Sequence, residues 1–68
     1  MMTGTVKWFN AVKGFGFIRP DDRSKNIFVY ITAVEGAGLG TLAEGQKVRY
    51  DRFGSPGNLS ATNLSAVD

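Results

Sequence analysis

The chain has 68 residues and contains neither cysteine nor histidine, so it makes one domain near the lower size limit for folding without staples. Those two absences remove disulfides, thiolate metal sites, the commonest zinc ligand and the commonest general base. The formal net charge of +2 says little alone; its distribution along the chain says more.

The chain opens with MMTGTVKWF, which has no basic region followed by a long apolar stretch and so does not read as a targeting segment. TGTVKWFN (3–10) reads as a first strand and GFGFIRP (14–20) as a second, joined tightly through AVK and therefore paired antiparallel. DDRSKN (21–26) is a polar turn, and Pro20 at the strand end fits the exclusion of proline from sheet interiors. IFVYI (27–31) is a third strand, rich in β-branched and aromatic residues.

TAV (32–34) has room for one helical turn, and EGAGLGTLAEG (35–45), with four glycines in eleven residues, is expected to be a long mobile loop. QKVRYDRF (46–53) returns to strand, GSPGN (54–58) has turn chemistry, and LSATNLSAV (59–67) is a last, weaker strand. The longest mostly apolar run, IFVYITAV (27–34), is too short to span a bilayer. A soluble, cytoplasmic protein without membrane association is expected. The fold class is all-β: a single domain over 1–68, five strands closing into a small antiparallel barrel that hides its edges.

Strand geometry then divides the apolar residues into two styles. Successive side chains alternate faces, so Phe15 and Phe17 share one side while Gly14, Gly16 and Ile18 take the other. On the third strand Ile27, Val29 and Ile31 oppose Phe28 and Tyr30. A five-stranded barrel has a narrow interior, which Val6, Ile18, Ile27, Val29, Val48 and Leu64 suit in size. Four aromatic rings would overfill it, so Phe15, Phe17, Phe28 and Tyr30 are placed outside. The opposite assignment, with aromatics as core and aliphatics under the long loop, also satisfies alternation. The first strand resists both: with Val6 inward, strict alternation puts Lys7 and Phe9 outside and Trp8 inside. Bringing Trp8 to the outer patch requires a bulge or strong coiling near residue 8.

Charge favours the first assignment. Residues 1–31 carry Lys7, Lys13, Arg19, Arg23 and Lys25 against Asp21 and Asp22, a balance of +3. The remainder balances at −1, and six of the eight aromatic residues fall in the first part: Trp8, Phe9, Phe15, Phe17, Phe28 and Tyr30. Positive charge interleaved with rings is the composition of a single-strand nucleic-acid surface. A contiguous apolar patch on a small monomer marks a binding site.

VKWFN (6–10), KGFGFI (13–18), IFVYI (27–31) and EGQKV (44–48), in that order and spacing, resemble the bacterial cold-shock proteins over nearly the whole chain. KGFGFI matches the family's first ribonucleoprotein motif and IFVYI sits at its second. The resemblance implies a five-stranded OB-fold barrel that binds single-stranded RNA and DNA and acts as an RNA chaperone, with possible roles in the cold-shock response and in transcription or translation. Carried onto this chain, it implies stacking by Trp8, Phe15, Phe17, Phe28 and Tyr30, with Phe9 as a partly buried ring. Lys7 and Lys13 would approach phosphates, and Asn10 would contact a base or the backbone. This chain departs from the family pattern at Tyr30 (for histidine), Ile31 (for phenylalanine), Leu39 (for a loop aromatic) and Asn26 (for aspartate). The family's usual ending survives only as Ala61, Asn63 and Leu64. These changes imply a preserved central site with a weaker loop-side end, for which the charges of Arg19 and Arg23 could compensate.

Competing readings are weaker. The only adjacent carboxylates, Asp21 and Asp22, sit in a turn, and no nucleophile–base pair can be assembled, so an enzyme with a small-molecule substrate is not expected. GAGLG (36–40) lacks the spacing of a phosphate loop, so no nucleotide cofactor is expected. A peptide-binding barrel of the SH3 type would also expose rings, and a structural OB module could dock through the same patch. The chain is expected to be a monomer, with strand exchange as a route to a dimer.

Overall fold

Alternation in the second and third strands settles the two-face problem. In the computed structural model, which describes residues 2–55 and 57–67, Ile18, Ile27 and Val29 are buried while Phe28 and Tyr30 are exposed. The aliphatic face turns inward and the aromatic face outward. The elements are β1 (Met2–Asn10), β2 (Phe15–Pro20), β3 (Ile27–Tyr30), α1 (Ile31–Gly36), β4 (Lys47–Ser55) and β5 (Asn58–Ala66). The strands close in the order β1-β2-β3-β5-β4. Antiparallel pairing holds for β1–β2, β1–β4, β2–β3 and β4–β5, whereas β3 and β5 run parallel, Phe28 opposite Ser60 and Val29 opposite Ala61. A parallel pair needs a long crossover, and α1, the glycine-rich segment and β4 together supply it.

The required bulge lies one residue before the tryptophan. Val6 pairs with Ile18 and Trp8 pairs with Phe17, leaving Lys7 as the extra residue of β1. Past it the faces exchange: Trp8 joins the side of Phe17, and Phe9, opposite Gly16, packs against the core. The strict-alternation placement of Trp8 inside and Phe9 outside is therefore corrected. One inserted residue is enough to flip every later side chain.

The core contains the six expected aliphatics, Val6, Ile18, Ile27, Val29, Val48 and Leu64, together with Val34, Leu42, Ala61 and Tyr50. Tyr50 is an aromatic ring in the interior, delivered there by its alternation with Val48 on β4.

Two boundaries differ from expectation. Ile31 does not extend β3; it opens α1, and its N–H donates to the Gly14 carbonyl at 2.9 Å. The segment after α1 is tied down at several points. Leu42 is buried, Leu39 packs on the core, the Leu39 N–H donates to Val34 O, and residues 45 and 46 exchange backbone hydrogen bonds with Val6. Among the described residues, no helix is long and apolar enough to cross a membrane.

Candidate nucleic-acid interface

The outer face is built from cross-strand pairs. The β2–β3 register sets Phe15 opposite Tyr30 and Phe17 opposite Phe28, and the bulge in β1 adds Trp8 opposite Phe17. The five rings form one connected patch. Phe17 and Phe28 lie 4.7 Å apart between centroids at 38°, and Phe28 and Tyr30 lie 5.9 Å apart, nearly parallel at 8°. Phe15 meets Trp8 edge-on at 5.5 Å and Phe17 edge-on at 6.4 Å. Trp8–Phe17 and Phe15–Phe28 contacts at 6.2 and 6.1 Å close the group.

Such offset and edge-to-face contacts contribute about 0.5–1.5 kcal/mol per pair beyond area burial. The rings thus fix one another's orientation while their outer surfaces stay wet: Tyr30 is 48% exposed and Phe28 37%, and Trp8, Phe15 and Phe17 are half-buried. Phe9 is set apart. It is half-buried and packed against the core, directly over Gly16, so it supports the patch from below.

Lys7, pushed out by the bulge beside Trp8 and Phe17, and Lys13, in the turn between β1 and β2, are both exposed. Asn10 organises that turn: its Oδ1 accepts from the Lys13 N–H at 3.0 Å and its carbonyl from the Gly14 N–H at 2.8 Å. Gly14 holds a φ of +84°, a left-handed conformation for which glycine is the default residue. Arg19 follows Phe15 and Phe17 on the outer face of β2 and is exposed. Arg23 lies in the 21–26 turn beside a polar depression shared with Arg19, Asp21 and Lys47.

Asp21 accepts hydrogen bonds from the Lys47 ammonium and the Thr3 hydroxyl, each at 2.8 Å. These bonds, the lysine's first, hold its carboxyl below the ordinary value of 3.8. Asp22 is likewise lowered, chiefly by the Ser24 hydroxyl at 2.6 Å and the Ser24 N–H at 2.9 Å.

Two shallow grooves flank the rings. One, of about 340 Å³, is lined by Lys7, Trp8, Phe17 and Asn26. The other, of about 410 Å³, runs between Phe17 and Phe28 on one side and Arg52, Asn58 and Leu59 on the other, with Lys25 on its wall. Lys25 and Arg52 were not among the candidate residues; barrel closure brings them to the site, and nothing local in the sequence marks Arg52. Ile31 and Leu39 supply no ring at the loop-side end: Ile31 is half-buried at the start of α1, and Leu39 is directed to the core.

Residues 2–67 match the family described as the 'Cold-shock' DNA-binding domain. The chain is 59% identical over 68 residues to the probable cold shock protein y4cH of Sinorhizobium fredii, covering 97% of this chain and 99% of that one. It is 57% identical over 69 residues to the cold shock protein CspA of Rhizobium meliloti, covering 98% and 100%. With the probable cold shock protein A of Mycolicibacterium smegmatis the identity is 49% over 67 residues, covering 98% and 100%. This five-stranded barrel with an outer cluster of rings belongs to the cold-shock domain family of nucleic-acid-binding proteins.

Proposed function

We propose that this protein binds single-stranded RNA and DNA by stacking bases on Trp8, Phe15, Phe17, Phe28 and Tyr30, and acts as an ATP-independent RNA chaperone. The observation that carries the reading is the connected patch of five outward rings on the faces of β1, β2 and β3. A soluble barrel gains nothing from wetting so much apolar surface unless a partner covers it. Lys7 and Lys13 approach phosphates. Asn10 holds the turn that carries Lys13 and presents its side chain beside Phe15, its partner across the strands.

Base–ring stacking contributes roughly 1–3 kcal/mol per base and tolerates any base. These contributions do not add fully, because ordering the strand costs entropy. With Lys7, Lys13 and one or two further cations at phosphates, log K against log salt should slope by about −2 to −3 for a single strand. Stacking carries most of the affinity, and charge adds rate and salt sensitivity.

A protein holding several bases open competes with duplex steps of about 1.4 kcal/mol each for DNA. It melts weak hairpins by trapping open strands. A fluorophore–quencher RNA hairpin tests this: opening should rise with protein concentration, saturate near stoichiometry, need no nucleotide and fail on long duplexes. Turnover at substoichiometric protein, or dependence on ATP, would rule out trapping.

A further inference from the structure

The row of outer-face residues does not end at the aromatic patch. Following the pairing across the sheet from β1, Trp8 faces Phe17, Phe17 faces Phe28, Phe28 faces Ser60 and Ser60 faces Phe53. Directly paired residues project from the same face of a sheet, so Phe53 stands on the same outer surface as the rings. It lies two strand spacings beyond Phe28, roughly 9–10 Å along the hydrogen-bonding direction. Phe53 is 69% exposed, and among the described residues no other ring packs on it. The residue between, Ser60, is small and leaves the row unobstructed.

We infer that Phe53 is a further stacking station, and that a single strand of RNA or DNA long enough to leave Phe28 crosses Ser60 and places a base on Phe53. This rests on the proposed reading of the aromatic patch and extends it onto the β4–β5 hairpin. A groove lined by Lys25, Phe28 and Arg52 adjoins the Phe28 end of this row without including Ser60 or Phe53, and its two cations stand where a strand leaving Phe28 carries its phosphates. The neighbouring part of the hairpin is unsuited to the strand. Asp51, opposite Thr62, presents a carboxylate that accepts from Asn63 Nδ2 at 3.1 Å, and a carboxylate repels phosphate. The occupant is therefore a longer nucleic-acid strand on the Ser60–Phe53 row.

The test compares wild type with Phe53→Ser and Phe53→Leu, using oligo-dT of about four and of about eight nucleotides, within the site sizes common for such barrels. Binding is read from Trp8 fluorescence, and the free proteins are compared by thermal melting and sedimentation velocity. All three proteins should remain folded and bind the short oligomer alike. The long oligomer should bind both variants about five- to tenfold more weakly than wild type. Equal affinity of all three proteins for the long oligomer, with Trp8 still quenched, overturns the extension and leaves the aromatic patch standing. Equal weakening for both lengths also overturns it. A Phe53-dependent dimer in the free protein would assign the ring to contact between copies instead. No quenching by either oligomer overturns the extension together with the reading beneath it.

Discussion

Phe9 lies directly over Gly16. A Cβ added at Gly16 would come 2.7 Å from the Phe9 Cα and 2.8 Å from its Cδ1, and would also collide with the Trp8 carbonyl. Only a residue without a side chain lets β1 and β2 approach this closely beside the bulge that turns Trp8 outward. Gly16→Ala should therefore destabilise the barrel by about 1–3 kcal/mol, the usual cost of overpacking. Urea unfolding followed by circular dichroism would read it, and an unchanged midpoint would contradict this account of the bulge.

Phe17 touches Trp8, Phe15 and Phe28 and so sits at the centre of the β1–β2–β3 row of rings. Phe17→Ala should weaken oligo-dT binding by about 1–3 kcal/mol. Its cost in stability should be of comparable size, since it loses three ring contacts of about 0.5–1.5 kcal/mol each. Because Phe15 and Phe17 share partners, the double variant should lose less binding than the sum of the singles. Isothermal titration of wild type, the two single variants and the double variant gives all the terms of that cycle.

Tyr50 is fully buried, and among the described residues its hydroxyl has no hydrogen-bond partner. Burial first, then the Asp22 carboxylate, pushes its ionisation above the ordinary value of 10.0. An orphaned buried hydroxyl costs about 1–3 kcal/mol, so Tyr50→Phe should raise stability by about 1 kcal/mol, read as a higher melting temperature. Above the unfolded tyrosine's value the unfolded chain loses a proton that the folded one keeps. Stability of the wild type should thus fall as pH rises beyond about 10, and the variant should fall less steeply. An unpaired phenol that proves stabilising would mean a partner for it, such as a trapped water.

Asp21 bridges two neighbouring strands, accepting from Thr3 on β1 and Lys47 on β4. Its folded value is lowered below 3.8, so the contribution of this contact is present above about pH 4. It is lost as pH falls through the folded value, where the protonated carboxyl no longer pairs. Asp21→Asn should flatten the acid limb of stability below about pH 4 and leave stability near neutral pH little changed, since both partners are solvent-exposed. Chemical unfolding between pH 2 and 6, chosen to span the usual carboxylate range, checks it.

Much of the architecture was legible because the strands alternate cleanly. Ile18, Ile27 and Val29 against Phe17, Phe28 and Tyr30 define inside and outside once the interior is known to be narrow. Trp8 was legible only as a conflict: the alternation from Val6 and the chemistry of the ring disagreed, and the extra residue Lys7 resolves them. Tyr50 was missed because the interior was reserved for aliphatics, although its spacing from Val48 places it there. The parallel pairing of β3 with β5 has no local signal, because it joins segments separated by α1 and all of β4. For the same reason neither Arg52 nor the alignment of Phe53 with Phe28 could be read before the barrel was closed.

The central claim is that the outward rings are a surface on which single strands stack. Trp8, the only tryptophan, reports on it directly through its fluorescence, titrated with a short oligo-dT at low and at physiological salt in wild type and in Phe15→Ala/Phe17→Ala. The account predicts saturable quenching that weakens with salt and disappears in the folded double variant. A folded wild type whose Trp8 emission does not respond, or a double variant quenched as strongly as wild type, would contradict it.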